Sequence, residues 1–427
     1  MGKLVALAAL FPAATLSAQP AGAPLELLTI RVPIDGANPA RGSAPIRVGV
    51  ARALDSRGGG DPVFVLEALG ESSVDAATRG LIASLEALRR THDLVFVDQR
   101  GASIAPLLCP PIAEDTAAIF DPRQIAECRR AFERRARLGD LSSRTFAGDV
   151  EAVRRRLRYR RIELVGYFYG TRIAEQYIRR WPRRVSAAVL ADASPLDYPA
   201  SKAEAGAISE SIASTLRACK ADEACNASYP ALGAEWEQVS RAPLSAGLLD
   251  WLKLRTLRWS SAASWPRDVD AIAKGEIAAE LAQYGAYRKT VLASYPLALR
   301  IAVDCAEDMP TSALPKATGS AAEQRACARW PVQRIGTPGK WRAGVPILAV
   351  AAEFDIEAPA TAVRRAFAGD PNAQIVIFPN RARATDNDWS ECMGPLVTTF
   401  LESRGAAPLD TSCVARLKRP PFAVSAP

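Results

Sequence analysis

The sequence predicts an α/β chain built on a mostly parallel sheet, with helices on both faces and a large helical insertion. Two observations carry this. Short apolar runs of strand length alternate with segments of helical period, the pattern of parallel strands buried on both sides. The rhythm then breaks from Pro195 to Trp341, a helical stretch containing Trp236, Trp251, Trp259, Trp265 and Trp330. A length of 427 residues, with 49% hydrophobic and 23% charged content, excludes global disorder and accommodates a large domain with an insertion.

Leu25–Val32 and Ile46–Leu54 predict two strands of an N-terminal hairpin region. Gly58–Asp61 is a turn leading into the apolar strand Val63–Leu66. Val74–Arg90 predicts a helix, and Asp93–Asp98 a strand ending in Gln99-Arg100-Gly101. Between Ala147 and Arg160, Val150, Val153 and Leu157 share one helical face, while Arg154, Arg155, Arg156 and Arg158 mostly fall elsewhere. Strand Ile162–Val165, a glycine-bounded turn, helix Thr171–Trp181 and strand Val185–Leu190 follow. Beyond the insertion come strands Ile347–Ala351 and Ile375–Phe378. The expected division is a core of residues 19–195 and 342–427 and a cap of residues 196–341, the tryptophans serving mainly as cap core.

Lys3, the apolar run Leu4–Leu16 and the small residues Ser17 and Ala18 read as a secretory signal peptide over residues 1–18. The run is shorter than the roughly 20 residues of a membrane span, so an exported protein, periplasmic or secreted, is expected without a transmembrane segment. None of the eight cysteines forms a C-x-x-C pair, which excludes redox-motif, haem-attachment and zinc-ribbon readings. Their even number suggests disulfides, with buried free thiols as the alternative. Eight cysteines allow on the order of a hundred pairings. Joining sequence neighbours gives Cys109–Cys128, Cys219–Cys225, Cys305–Cys327 and Cys392–Cys413.

The formal net charge of +8 comes from scattered basic doublets, and the arginines at 154–158 read as a solvated face, so no nucleic-acid partner is expected. His92 is the single histidine, which excludes any multi-histidine metal site. No metal or cofactor is expected, and the oligomeric state is not legible.

The order of motifs resembles an exported α/β-hydrolase, similar to the tripeptidyl-aminopeptidase and proline-iminopeptidase group of serine peptidases. The matching pieces are Asp93–Gly101 with Cys109, the turn Gly166-Tyr167-Phe168-Tyr169-Gly170 with Thr171, and Trp181-Pro182. They continue with Cys305-Ala306-Glu307-Asp308, Val345–Leu348, Asp355 with Pro359, and Leu409–Cys413. The family's usual cystine pairings agree with the neighbour pairing.

The resemblance implies four catalytic parts. A nucleophile should occupy the centre of a G-x-S-x-G elbow, where this chain has Phe168. A histidine base should follow the last strand, and Pro379-Asn380-Arg381-Ala382-Arg383-Ala384 puts Arg383 in its place. A phenyl ring cannot attack a carbonyl, and arginine stays protonated at any working pH. The orienting acid matches Asp355 and is retained. The oxyanion loop corresponds to Glu67-Ala68-Leu69-Gly70-Glu71, with Tyr169 following the elbow centre; only one glycine remains there, between two carboxylates.

Glu307 matches the cap carboxylate that holds a peptide's α-amine in the family; a helix-packing carboxylate beside a disulfide is the alternative. His92 precedes its strand, so at about 3.3 Å per residue it lies roughly 20 Å from the catalytic edge. Ser72, Ser73 and Ser103 fall near that edge, but no base is marked out for them. The expectation is an exported, catalytically inactive relative, with Asp355 and Arg383 ion-paired and a capped cleft for a short peptide or amine-bearing ligand. An active hydrolase using non-standard residues and an interaction protein acting through its surface are the alternatives.

Overall fold

Eight strands form one sheet in the order β1-β2-β4-β3-β5-β6-β7-β8. They are β1 (Glu26–Pro33), β2 (Ser43–Ala51), β3 (Val63–Leu66), β4 (Leu94–Val97), β5 (Ile162–Tyr167), β6 (Val185–Ala191), β7 (Ile347–Ala352) and β8 (Ala373–Phe378). β2 runs antiparallel to β1 and β4, and every other pairing is parallel. The carboxyl ends of β3 to β8 therefore share one edge. This is the expected α/β-hydrolase arrangement. The computed structural model describes residues 25–424, apart from 36–37, 39, 41, 56–58, 105, 108, 110–121, 133–139, 199, 257–261, 295, 309–325, 331, 333, 336–341, 356–358, 382 and 386–391. The expected signal segment, Trp259 and the expected cap end at Trp341 lie outside the described residues.

The helices are α1 (Pro122–Phe132), α2 (Ser143–Arg156), α3 (Tyr169–Arg180), α4 (Ala200–Ala221), α5 (Glu223–Ser228), α6 (Leu232–Arg241) and α7 (Ala246–Arg255). They continue with α8 (Trp265–Ala273), α9 (Ala278–Ser294), α10 (Leu297–Glu307), α11 (Ala360–Phe367), α12 (Gly394–Ser403) and α13 (Ser412–Arg416). The sheet is buried on both faces because strand side chains alternate between them. In β3, Phe64 and Leu66 enter one core layer with Val150 and Val153 of α2 and Ile173 and Tyr177 of α3. Val63 and Val65 enter the other with Leu396, Val397 and Phe400 of α12.

Two expectations are corrected. The helix over Val74–Arg90 is broken into short turns, because Gly80 takes φ 122°, outside the helical region. The arginine cluster is not wholly solvated: Arg154 is buried and donates to Glu151 at 2.8 and 2.7 Å, while Arg155, Arg156 and Arg158 are exposed.

All four neighbour disulfides are formed. Each is worth about 3 kcal/mol where it closes a loop of roughly 20 residues. Helices α4 to α10 lie between β6 and β7 in sequence. Several of them build a separate core from Cys219, Cys225, Val239, Leu252, Trp265 and Val269. Trp265 is fully buried with Trp236 5.1 Å away, whereas Trp330 packs with the sheet-side layer. A strap after α13 completes the cap. Arg419 donates to Ser214 and Thr215 at 3.0 and 3.2 Å, Ala423 bonds to Ala263 and Tyr229, and Phe422 enters the cap core. Phe422→Ala is expected to cost about 3 kcal/mol and to speed amide exchange in residues 229–273, measured by thermal denaturation and exchange mass spectrometry.

His92 lies at the opposite edge from the carboxyl ends. Its Nδ1 faces the Leu88 carbonyl at 3.1 Å, and its Nε2 is 3.6 Å from Glu163 Oε2. Both are buried, which favours the neutral pair. Burial, with Asp61's charge adding, pushes the Glu163 carboxyl up to about 8, and burial lowers His92. The protonated glutamate stabilises the fold fully below about pH 4.5, and that contribution is lost as pH rises to 8. His92 acts in the opposite sense only below its ordinary 6.5. Stability should therefore fall between pH 6.5 and 8, and Glu163→Gln should make the decline shallower, buried Glu67 and Glu175 supplying the rest, as read from melting temperature against pH.

Candidate functional site

In an open parallel sheet the loops beyond the carboxyl ends of the strands converge on one crevice. Here these are residues 67–71 after β3, 98–101 after β4, Phe168 after β5, Asp192 after β6, 353–355 after β7 and 379–385 after β8. His92 is excluded from this edge by the direction of β4.

The turn between β5 and α3 is the tightest part. Phe168 sits at φ 50° and ψ −116°, a strained conformation for a residue with a bulky side chain. Its N–H donates to the Ala191 carbonyl at 3.1 Å, and its own carbonyl accepts from Thr171 N at 3.0 Å and Thr171 Oγ1 at 2.5 Å. Thr171 Oγ1 also accepts from Ser194 N at 2.9 Å, which ties the turn to the loop after β6. A Cβ on Gly170 would stand 2.1 Å from the Leu66 carbonyl oxygen, so only glycine lets α3 rest against β3.

The loop after β3 is held by Gln99. Its Nε2 donates to the Glu67 and Ala68 carbonyls at 3.0 and 2.9 Å, and its Oε1 accepts from Gly70 N at 3.3 Å. Ala68 and Leu69 are buried, and Pro296 at the start of α10 packs onto Gly70. The Gly70 N–H is thus already engaged. Burial and the neighbouring charge of Glu71 push the Glu67 carboxyl up to about 8, so it is protonated at neutral pH. Burial beside Glu67 and Asp192 likewise raises the Tyr167 phenol.

Arg383 is fixed from both sides. Asp192, fully buried, accepts from Ala384 N at 2.6 Å, Thr385 N at 3.3 Å and Thr385 Oγ1 at 2.6 Å. On the other flank the Arg381 carbonyl accepts from Phe354 N at 2.8 Å. Between these anchors the Arg383 guanidinium lies over the Phe168 ring, 4.6 Å from its centroid, in a cation–π contact. The expected ion pair with Asp355 is not among those formed by the described residues. Asp355 is buried, and the guanidinium meets the aromatic face instead.

Other expected site residues are placed differently. Glu307 is not an open carboxylate waiting for an amine. Its side chain is buried, with Oε1 accepting from Ser143 N at 2.6 Å and Tyr169 Oη at 2.7 Å, and Oε2 3.4 Å from Arg172 Nη1. It joins α10 to the starts of α2 and α3. Ser72 caps the turn at Ser73–Ala76, bonding to both Asp98 oxygens at 3.0 Å and accepting from Arg47 at 2.7 Å. Ser73 donates to the Val97 carbonyl at 3.0 Å. Both hydroxyls serve the local frame. Asp192 and Gln99 were not singled out from the sequence as site residues. Gln99 lies in the Asp93–Gly101 motif, but nothing local in the sequence marks the partners of either residue.

Residues 315–413 match the model of a family described as TAP-like protein, a span that includes Asp355, Arg383 and the Cys392–Cys413 bridge. No curated protein matches the chain. Among solved structures, proline iminopeptidase from Mycobacterium smegmatis aligns with a TM-score of 0.43 and 14% identity, over 88% of this chain and 99% of that one. A thermophilic esterase from Thermogutta terrifontis aligns at 0.41 and 14%, over 89% and 100%. A serine hydrolase from Cycloclasticus zankles aligns at 0.41 and 12%, over 90% and 100%.

The close contact at the turn has a measurable consequence. Gly170→Ala is expected to cost more than about 3 kcal/mol or to leave no soluble protein, measured by urea denaturation beside a Gly233→Ala control, where no neighbouring atom is met. The chain has the eight-stranded, mostly parallel sheet of the α/β-hydrolase class, and its residues 315–413 match the model of the TAP-like family.

Proposed function

We propose that this protein is an exported, catalytically inactive member of the serine-peptidase-like α/β-hydrolases that binds a ligand beneath its cap. The observation that carries the reading is the Phe168–Arg383 contact. Phe168 holds the strained centre of the elbow, where the nucleophile of an acyl-transfer enzyme would stand, and Arg383 covers its ring. Neither side chain can supply a nucleophile or accept a proton at working pH. Asp355 is the retained acid of the former triad. In this reading Ala68, Leu69 and Gly70, with Tyr169, stand for the oxyanion loop; Gln99 holds Ala68 and Gly70, and the Gly70 N–H already has an acceptor. Losing nucleophile and base together leaves only binding contacts to act on a substrate. Export is supported by the apolar leader and the four disulfides. Among the described residues no helix is long and apolar enough to cross a membrane.

Treatment with a fluorophosphonate probe, followed by intact mass, tests the inactive reading; the protein should remain unlabelled, and stoichiometric labelling would refute it. The paired substitution Phe168→Ser with Arg383→His should bring labelling at position 168 if the elbow still has a hydrolase's geometry.

A further inference from the structure

We propose that Arg383, held on the Phe168 ring, is the anchor for a ligand's free carboxylate. This deepens the binding reading above and rests on it. Arg383 is half-buried, and no carboxylate of the described residues lies within ion-pair distance of its guanidinium. The contrast with other arginines is informative. Arg172 has Asp308 at 2.8 Å, Arg100 pairs with Asp149, and Arg255 pairs with Asp268 and Glu280. At the site itself, a permanent cation is given an aromatic face and, among the described residues, no paired carboxylate.

A cation–π contact uses the guanidinium's charge and leaves its N–H donors free to bond in their own plane. Those donors form a fork that matches the two oxygens of a carboxylate. The fork is also pre-positioned. Asp192 fixes Ala384 and Thr385, and Phe354 fixes Arg381, so the loop pays little ordering entropy when a ligand arrives. Two of the neighbouring acids are already engaged or neutral. The Asp192 oxygens are engaged by three donors from the same loop, and burial keeps Glu67 protonated at neutral pH. Glu307, the carboxylate assigned to an amine by resemblance, is engaged by Ser143, Tyr169 and Arg172. The polarity expected of the ligand is thereby reversed, from its amino end to its acidic end.

Calorimetric titration of the full chain with three peptides tests this: acetyl-trialanine with a free carboxylate, acetyl-trialanine amide, and trialanine amide with a free amine. The free acid should bind at least tenfold more tightly than its amide. Arg383→Gln should abolish that difference and Arg383→Lys should keep part of it, with melting temperatures showing that both variants are folded. Equal binding of acid and amide, acid binding unchanged in Arg383→Gln, or no binding of the acid at millimolar concentration would overturn the inference. Tight binding of trialanine amide that ignores Arg383 would overturn it while leaving an inert ligand-binding protein standing. Fluorophosphonate labelling would instead sink the inert reading, whatever the carboxylate result.

Discussion

The Leu66 carbonyl and the α-carbon of Gly170 approach so closely that no side chain fits between β3 and the first turn of α3. That contact sets the height of α3 above the sheet, and with it the sharp reversal at Phe168. Backbone strain of this kind costs about 1–3 kcal/mol and persists only where its surroundings over-determine it. In hydrolases the strain is usually explained by the exposure it gives a nucleophile. Here it survives with a phenyl group at its centre, so packing of helix on strand is sufficient to maintain it. The bend belongs to the architecture, and reactivity is an optional use of it.

Polar side chains then hold the surrounding loops, each by bonding to backbone. Gln99 spans the loop after β3, Asp192 gathers the loop after β8, and Glu307 joins three helices. Buried polar groups are costly unless satisfied, so each is bonded several times over and becomes a rigid fitting. Arg383 is the exception at the edge. Its backbone is fixed by its neighbours, while among the described residues its guanidinium meets a ring rather than a carboxylate.

Much of the scaffold was legible because apolar runs such as Val63–Leu66 and Val185–Ala191 have no stable alternative to burial in a sheet. Phe168, Asp355 and Arg383 could be placed at the carboxyl edge because each follows a readable strand. Asp192 and Gln99 were not seen as site fittings, since their partners are far away in sequence: Ala384 lies 192 residues beyond Asp192, and Glu67 lies 32 before Gln99. The Asp355–Arg383 pair was expected from their matching triad positions and the cost of burying a lone carboxylate, but the guanidinium meets the Phe168 ring. Glu307 was judged by its motif, while the donors that claim it come from α2 and α3. Gly80 escaped notice because a helical period over Val74–Arg90 continues through a residue whose backbone does not follow it.

The strap at the end of the chain also bears on the order of assembly. Phe422 belongs to the same apolar cluster as Cys219, Leu252 and Trp265, so the cap cannot close its interior until the polypeptide has been made as far as residue 422. By then every strand of the sheet is already available. The apolar cluster built by the helices between β6 and β7 is thus completed by a segment that follows every strand of the sheet, which couples its packing to the far end of the chain.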